Sequence, residues 1–246
     1  MPAGEWIYGR QAARLALAPG ARRRALRLAV TPAALSRLGL GERPAGLTPE
    51  VVDIHELERR SGSREHQGVA VLVLPYQYAD EDELLRGDLI VALDEVSDPR
   101  NLGAVARSAL AAGAAGLVVP RHRSAAVTPA AVKASAGATE HLAIAQVTNL
   151  AVFLKKCKRA GFWVYGASGE AAARYTTLDF ASRVVLVFGS EGHGLRRLVA
   201  ESCDALASVP MDGPVESLNV SVAAALFLFE ARRQRDQAGR LDDSRS

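Results

Sequence analysis

The sequence is poor in cysteine and in long apolar runs, and both absences narrow what the protein can be. Its two cysteines, Cys157 and Cys203, lie far apart without metal-ligand spacing, so they predict neither a disulfide framework nor a metal site. No apolar run approaches the roughly 18 residues that span a bilayer. Residues 1–10 also lack the continuous apolar stretch of a signal peptide. We therefore expect a cytoplasmic protein with no membrane partner.

Charge of one sign is also scarce, because the net charge is only +3 over 246 residues. This mild basic excess permits a nucleic-acid partner without requiring one. The arginines are clustered, however, and arginine suits forked contacts to phosphate oxygens. The clustered arginines are Arg22, Arg23, Arg24 and Arg27 in one stretch and Arg232, Arg233 and Arg235 in another. Either cluster could equally be a solvated surface.

A short acidic run divides the sequence into two unequal halves. Residues 79–88, with consecutive acidic residues at 80–83, are predicted to be a linker or a solvated helix between domains. Residues 1–78 before it predict a small α/β domain, and residues 89–236 after it predict a larger one. The polar tail, residues 237–246, is predicted to be disordered.

Apolar runs in the larger domain alternate with helical patterns, which is typical of a parallel sheet with helices on both faces. The strand candidates are 89–93, 117–119, 163–165, 184–188 and 205–209. The helix candidates are 103–112, 129–136, 150–159, 195–202 and 218–233. In the smaller domain, strands are predicted at 26–30 and 69–74. We therefore predict an α/β fold with a doubly wound parallel sheet, whose ligands would bind beyond the carboxyl ends of the strands.

The first segment that packing does not explain follows the strand candidate at 89–93. Asp98-Pro99 turns the chain, and Asn101 stands near the start of the next helix, where a cap or a ligand contact is expected. Arg107 follows about one turn into that helix, among alanine and valine. Its position fits either a solvated surface charge or a contact to phosphate.

Two further segments of this kind follow later strand candidates. Residues 188–194 include three glycines, which let backbone approach a ligand closely but also suit a structural turn. Their spacing differs from the dinucleotide fingerprint G-x-G-x-x-G, and no acidic partner follows at the expected interval. Residues 209–219 lead into an apolar helix. Ser217 could cap that helix, or the free N–H groups could bind a carboxylate or phosphate.

In their order and separation, these three segments resemble motifs one to three of the SpoU/TrmH class of RNA ribose 2′-O-methyltransferases. The matching stretches are Asp98-Pro99-Arg100-Asn101-Leu102-Gly103 with Arg107, Phe188-Gly189-Ser190-Glu191-Gly192, and Val209-Pro210-Met211 with Ser217-Leu218-Asn219-Val220-Ser221. Ile7-Tyr8-Gly9-Arg10 and His66-Gln67-Gly68 resemble the ends of that family's small substrate-binding domain. The two-domain layout is most similar to the bacterial 23S rRNA guanosine 2′-O-methyltransferases.

The resemblance implies a SPOUT fold, in which a parallel-sheet domain with a C-terminal trefoil knot follows the small α/β domain. It implies S-adenosylmethionine as the methyl donor, no metal, and a homodimer with the active site near the subunit interface. The residues it assigns to the donor pocket are Phe188, Gly189, Gly192, Val209, Met211 and Leu218. The residues it assigns to catalysis are Asn101, Arg107, Glu191, Ser217 and Asn219. The residues expected to contact RNA are Arg10, Arg22, Arg23, Arg24 and Arg100.

The activity expected from the resemblance is methylation of a ribose 2′-hydroxyl, with a guanosine of 23S rRNA as the preferred target. A tRNA, or the rRNA target of an antibiotic-resistance enzyme, is the alternative substrate. Because a guanidinium keeps its proton in proteins, we expect Arg107 to clamp a phosphate rather than act as a general base. The rival classes are a nucleotide-dependent oxidoreductase and a non-catalytic RNA-binding module.

Overall fold

The computed structural model describes residues 4–35, 37, 44–214 and 217–243, with side chains up to residue 239. Its strands are β1 (Glu5–Tyr8), β2 (Ala25–Val30), β3 (Glu50–Val51), β4 (Val69–Val73), β5 (Leu89–Asp94), β6 (Gly116–Pro120), β7 (Ala143–Val147), β8 (Trp163–Ala167), β9 (Val184–Gly189) and β10 (Ala205–Ala207). Its α-helices are α1 (Arg10–Ala16), α2 (Pro32–Leu35), α3 (Ile54–Ser61), α4 (Glu81–Leu84), α5 (Pro99–Ala112), α6 (Pro129–Ala134), α7 (Leu150–Arg159), α8 (Arg197–Ala200) and α9 (Val220–Asp243).

The chain divides into two compact units. The small unit comprises Met1–Gln77 together with Ala126–His141, and the large unit comprises Tyr78–Ala125 together with Leu142–Ser246. The sequence analysis predicts a first domain that ends at residue 78, whereas the small unit also includes the later segment that carries α6. The guanidinium of Arg23 binds the carboxylate of Glu140 within this unit, with an Nη2–Oε1 distance of 2.6 Å. This contact fastens the later segment to the first.

The small unit contains a four-stranded sheet in the order β1-β4-β2-β3. β4 pairs antiparallel with β1 and with β2, while β3 runs parallel to β2. The predicted strands at 26–30 and 69–74 are confirmed as β2 and β4, because their apolar residues face a core. Ile7, Leu28, Leu57 and Val71 are fully or almost fully buried there.

The large unit contains a six-stranded sheet in the order β10-β8-β9-β5-β6-β7, and every pairing in it is parallel. All residues of β5 and β6 are buried, which is the expected state of Val-rich strands covered on both faces. The predicted parallel α/β fold is therefore confirmed. Because parallel strands point the same way, the segments that follow β5, β9 and β10 leave the sheet at one edge. We call this the carboxyl edge.

Helix α9 packs against the sheet through an aromatic contact. Phe227 on α9 meets Phe188 on β9 edge-to-face, with 5.5 Å between ring centroids. Ala224, Leu228 and Ala231 are also buried on this side of the helix. The packing fixes the first turn of α9 beside the end of β9, and this places two of the three motifs close together.

Two regions differ from the sequence predictions. Residues 79–88, predicted to be a linker or a solvated helix, contain the helix α4, but its Leu84 is buried in the core of the large unit. The predicted disordered tail is wrong for 237–243, because α9 continues to Asp243, and 244–246 lie outside the described residues. Polar side chains of α9 pair along the helix, as in the Arg233–Gln237 hydrogen bond of 2.8 Å. The helix therefore continues through this polar stretch. No helix among the described residues is long and apolar enough to cross a membrane.

Candidate active site

Side chains from all three motifs meet at the carboxyl edge of the large unit. Nδ2 of Asn101 donates to Oε1 of Glu191 at 3.0 Å, and Nδ2 of Asn219 donates to Oδ1 of Asn101 at 3.1 Å. Nδ2 of Asn219 also lies 2.5 Å from Oε1 of Glu191. The three side chains therefore form a closed hydrogen-bonded triangle, which we call the Asn–Glu–Asn cluster. It joins segments that are 28 to 118 residues apart in sequence.

Helix capping orients the two asparagines. At α5, the Asp98 carboxylate accepts from the N–H of Arg100 at 2.7 Å and Pro99 occupies the first turn, so Asn101 faces the edge. At α9, Oδ1 of Asn219 accepts from the N–H of Ser221 at 2.8 Å and from its hydroxyl at 2.6 Å. This leaves Nδ2 of Asn219 to reach Glu191.

The capping role considered for Ser217 in the sequence is wrong. α9 begins at Val220, so its N-cap position falls on Asn219, two residues later. Ser217 is exposed in the loop before the helix. The apolar run of α9 does not mark its first residue, because Leu218 precedes the helix and only the cap contact defines the start.

The second motif forms a tight loop whose geometry requires glycine. The N–H of Gly194 donates to the carbonyl of Ser190 at 2.9 Å, and a Cβ at Gly189 would lie 2.1 Å from the backbone of Gly194. Gly192 and Gly194 adopt left-handed φ values of 84° and 64°. The alternative of a structural turn is therefore correct for the backbone. The same turn presents Glu191 at its tip.

The surface around this loop fits a ligand held mostly by backbone. A Cβ added at Gly192, Gly194 or Gly213 would meet nothing within 4 Å, so open space lies above these backbones. Met211 is 36% exposed, and Gly189, Val209 and Leu218 are half-buried beside the same edge. Of the predicted donor residues, Phe188 differs, because it is 1% exposed and packs on Phe227 in the core.

A buried ion pair that the sequence analysis missed fixes the far end of the loop. Asp94, the last residue of β5, is fully buried and accepts three hydrogen bonds from Arg196. The backbone N–H of Arg196 donates to Oδ2 at 2.8 Å, while Nε and Nη2 lie 2.7 and 2.6 Å from Oδ1. The hydrogen bond to Asp94 raises the pKa of the Arg196 guanidinium. The sequence offered one signal for this pair, because Asp94 is an acidic residue at the end of an otherwise apolar strand.

The arginines predicted to contact the substrate have different surroundings. Within the large unit, Arg100 and Arg107 on α5 are exposed, and neither forms an ion pair with any described residue. Within the small unit, Arg10, Arg22 and Arg24 are exposed. Arg107 could therefore still bind a phosphate, as the sequence analysis considered.

Arg23 is the exception in the predicted RNA-contacting set. It is 4% exposed, and its guanidinium binds Glu140 through Nε at 2.9 Å and Nη2 at 2.6 Å and Glu5 through Nη1 at 2.8 Å. The ring of Tyr76 lies 5.3 Å from its guanidinium carbon. All three guanidinium nitrogens are bound to carboxylates, so we remove Arg23 from the residues proposed to contact RNA.

The second arginine cluster is also structural. Arg232 pairs with Asp236 at 2.8 Å and Arg233 with Glu230 at 2.6 Å along α9. Arg235 donates to the carbonyls of Phe180, Ser182 and Asp88, which fastens α9 to the segments that precede β9 and β5. Burial lowers the pKa of Arg235.

The two cysteines are thiols rather than reactive nucleophiles. Cys157 is buried, Cys203 is half-buried, and neither is in a disulfide. Burial raises the pKa of each to about 12, so both stay protonated near neutral pH. Neither cysteine is therefore a candidate for a thiolate nucleophile in the large unit.

A parallel α/β sheet with a polar cluster and a glycine-rich loop at its carboxyl edge defines a protein that binds a small ligand there. The model of the SpoU rRNA Methylase family matches residues 88–229, which is more than half of the chain. The chain therefore belongs to the SpoU rRNA methylase family.

Individual relatives agree with this assignment. The protein of Mycolicibacterium vanbaalenii named "Uncharacterized tRNA/rRNA methyltransferase" is 48% identical over 191 residues, covering 75% of this chain. The match covers 61% of that relative, so this chain spans less than two thirds of its length.

Solved structures are similar over almost the whole chain. The SpoU methyltransferase AviRb from Streptomyces viridochromogenes, in complex with AdoMet, has a TM-score of 0.77 and 27% identity over 94% of this chain and 90% of its own. A crystal structure of an RNA 2′-O ribose methyltransferase has a TM-score of 0.73 and 26% identity over 95% of this chain and 90% of its own.

Proposed function

We propose that this chain transfers a methyl group from S-adenosylmethionine to a ribose 2′-hydroxyl in RNA. The Asn–Glu–Asn cluster carries the proposal, because it unites the three family motifs at the carboxyl edge. The similar structures of an AdoMet-bound SpoU enzyme and of an RNA 2′-O ribose methyltransferase support the donor and the acceptor group. The SPOUT knot that the family resemblance implies is part of this proposal.

The donor would be held mainly by backbone. Gly189, Gly192, Val209, Met211 and Leu218 would line the donor pocket at the carboxyl edge. Open space lies above Gly192, whereas Gly189 is covered by the backbone of Gly194. S-adenosylmethionine would supply a methyl group already activated on a sulfonium. The protein's task is then to orient the acceptor and to exclude water.

The acceptor step depends on a hydroxyl that is a poor nucleophile until its proton leaves. Arg107 is exposed and lacks an ion pair among the described residues, so it can bind a phosphate next to the target ribose. Its positive field would lower the pKa of the 2′-hydroxyl, and the proton would leave to phosphate or water. Glu191, Ser217 and Asn219 would shape the pocket around the ribose, with Asn101 facing the acceptor nucleotide.

We propose a guanosine of 23S rRNA as the target, with tRNA and antibiotic-resistance rRNA sites as alternatives. The small α/β unit that precedes the large unit supports rRNA, because the two-domain layout resembles the 23S rRNA enzymes. The relative from M. vanbaalenii is named for both tRNA and rRNA. Arg10, Arg22, Arg24 and Arg100 remain in the proposed RNA-contacting set.

The test offers unmodified 23S rRNA, 16S rRNA and tRNA transcripts to the purified chain with tritiated S-adenosylmethionine. Label should enter 23S rRNA, and one phosphodiester should become resistant to alkali, because a 2′-O-methyl group blocks cleavage there. Glu191→Ala should abolish transfer, whereas Glu201→Ala, an exposed glutamate outside the cluster, should retain it. Donor binding without transfer to any of these RNAs would favour the non-catalytic module.

We propose that the exposed side of α9 binds a second copy of the chain. Val222, Leu226 and Phe229 are 48%, 36% and 51% exposed and lie on one stripe at i, i+4 and i+7. They line a cavity of about 360 Å³ together with Tyr175. An exposed apolar stripe on a helix marks an association surface, and self-association agrees with the homodimer that the family resemblance implies.

The dimer proposal predicts that Phe229→Asp weakens self-association at least about tenfold, because a carboxylate would replace a buried ring in two symmetric copies. Light scattering coupled to size-exclusion chromatography measures the mass across a concentration series. Arg232→Asp, on the same helix but outside the stripe, is the matched control. A wild-type mass of one chain at all concentrations would refute the dimer.

A further inference from the structure

One residue holds both ends of the glycine-rich loop. At its start, Gly189 on β9 is the strand partner of Asp94 on β5. At its end, Arg196 gives the Asp94 carboxylate its backbone N–H and two guanidinium N–H groups, with distances of 2.6 to 2.8 Å. The loop 189–196 therefore starts at the backbone of Asp94 and ends at its buried carboxylate, with Glu191 near the tip of the loop.

The same guanidinium reaches the first motif. Nη1 of Arg196 lies 3.2 Å from Oε1 of Glu95, the residue that follows β5 and turns the chain with a φ of 57°. Arg196 thus links the start of the Asn101 segment with the end of the Glu191 loop. The Asn–Glu–Asn cluster forms only if these two segments keep their relative positions.

We propose that the Asp94–Arg196 pair is a positioning clip that holds the glycine-rich loop ready for the methyl donor. This inference rests on the proposed function, because it assumes that the loop forms part of the donor pocket. Gly192 and Gly194 allow the free loop many conformations, so an unclipped loop spends only a fraction of its time in the binding conformation. The apparent Kd for the donor rises by the reciprocal of that fraction.

Charge and burial explain why this pair suits the role. Asp94 is fully buried, so its carboxylate needs the hydrogen bonds that the end of the loop supplies. If the loop moved away, the Asp94 carboxylate would lose those hydrogen bonds, and this cost opposes opening of the loop. Arg197, the next residue, shows the contrast, because its side chain is 81% exposed and pairs with Glu201 on the surface.

The test compares the wild type with Asp94→Asn/Arg196→Gln, a double variant that removes both charges and leaves no unpaired buried ion. Arg197→Gln/Glu201→Gln, which removes an exposed ion pair and likewise leaves the net charge unchanged, is the matched control. Calorimetric titration with S-adenosylmethionine should give a Kd about tenfold weaker for the double variant and unchanged for the control, as the loop becomes partly populated. Hydrogen exchange of the amides at 190–195, measured without donor, should be faster in the double variant only.

Kinetics separate positioning from general destabilisation. The KM for the donor should rise about tenfold while kcat at saturating donor stays within about twofold, because bound donor restores the loop. A double variant that keeps its Tm, its slow exchange at 190–195 and its donor Kd would overturn the clip. A wild type that fails to bind the donor would instead overturn the proposed function.

Discussion

The arginines on one face of the small unit and Arg107 on α5 of the large unit have opposite surroundings. On the first, which we call the Trp6 face, Arg27 and Arg60 both bind Glu50, at 2.6 and 2.8 Å. Both guanidinium groups also lie within 6 Å of the Trp6 ring. On α5, Arg107 is exposed and forms no ion pair among the described residues.

The difference teaches that nearby carboxylates decide what an arginine does. A guanidinium already bound to a carboxylate must lose that partner before it can bind a phosphate, whereas an open one need not. Arg23, with its buried partner Glu140, is the extreme case of the first kind. Clusters of arginine in the sequence therefore do not identify the RNA-binding surface.

The largest expected effect belongs to Arg23. Arg23→Met should lower the free energy of unfolding by about 3 kcal/mol or more, because it leaves the buried Glu140 carboxylate without its partner. Urea unfolding followed by circular dichroism measures the change. Arg23→Met/Glu140→Met, which removes both charges, should recover most of the loss.

Arg24→Met is the matched control for this prediction, because Arg24 is an exposed neighbour in the same cluster. Its stability should stay within about 0.5 kcal/mol of the wild type. The comparison breaks if Arg23→Met keeps full stability and loses RNA affinity instead. Arg23 would then be a substrate contact despite its burial.

The next effect concerns Arg107. Arg107→Ala should reduce methyl transfer at saturating donor by about 100-fold, or ~2.7 kcal/mol, because the acceptor loses its phosphate clamp. Arg107→Lys should lose more than about tenfold, since an ammonium cannot form the forked contact. Single-turnover transfer to the RNA substrate measures both rates, and the donor Kd should not change.

Arg159→Ala controls for the loss of one exposed positive charge. Arg159 ends α7 before the start of β8, at the sheet edge opposite the motifs. Its variant should transfer methyl groups at the wild-type rate. Near-full turnover by Arg107→Lys would rule out a requirement for the forked geometry.

The strands of the large unit were predictable because β5 and β9 are continuous apolar runs. The meeting of the three motifs was also predictable, because parallel strands deliver their carboxyl ends to one edge. β7 was missed, since Ala143–Val147 is alanine-rich and includes a glutamine. Its short run has too little β-branched character to stand out from a helix.

The missed features of the site depend on contacts between distant residues. Asp94 and Arg196 are 102 positions apart, and Arg23 and Glu140 are 117 apart. No local pattern pairs such residues, because neither helix nor strand periodicity relates them. The capping role of Asn219 was similarly hidden, since the apolar run begins before the helix does.

The smallest effect sharpens the comparison from the side of the Trp6 face. The hydrogen bond from Arg27 is the largest cause that lowers the pKa of Glu50 from 4.5 to about 2. Glu50→Gln should therefore cost about 1 kcal/mol of unfolding free energy at pH 7, a modest value because the carboxylate is one-third exposed and screened by water.

This cost should depend on pH. Glu50 stays charged in the folded state while the unfolded chain binds its proton near pH 4.5, so the cost should shrink as pH falls from about 4.5 towards 2. Urea unfolding at pH 7 and pH 3 measures it, with the exposed Glu65→Gln as control. An equal cost at both pH values would mean that Glu50 contributes through packing rather than through its charge. Its ion pairs with Arg27 and Arg60 would then be weaker than their distances imply.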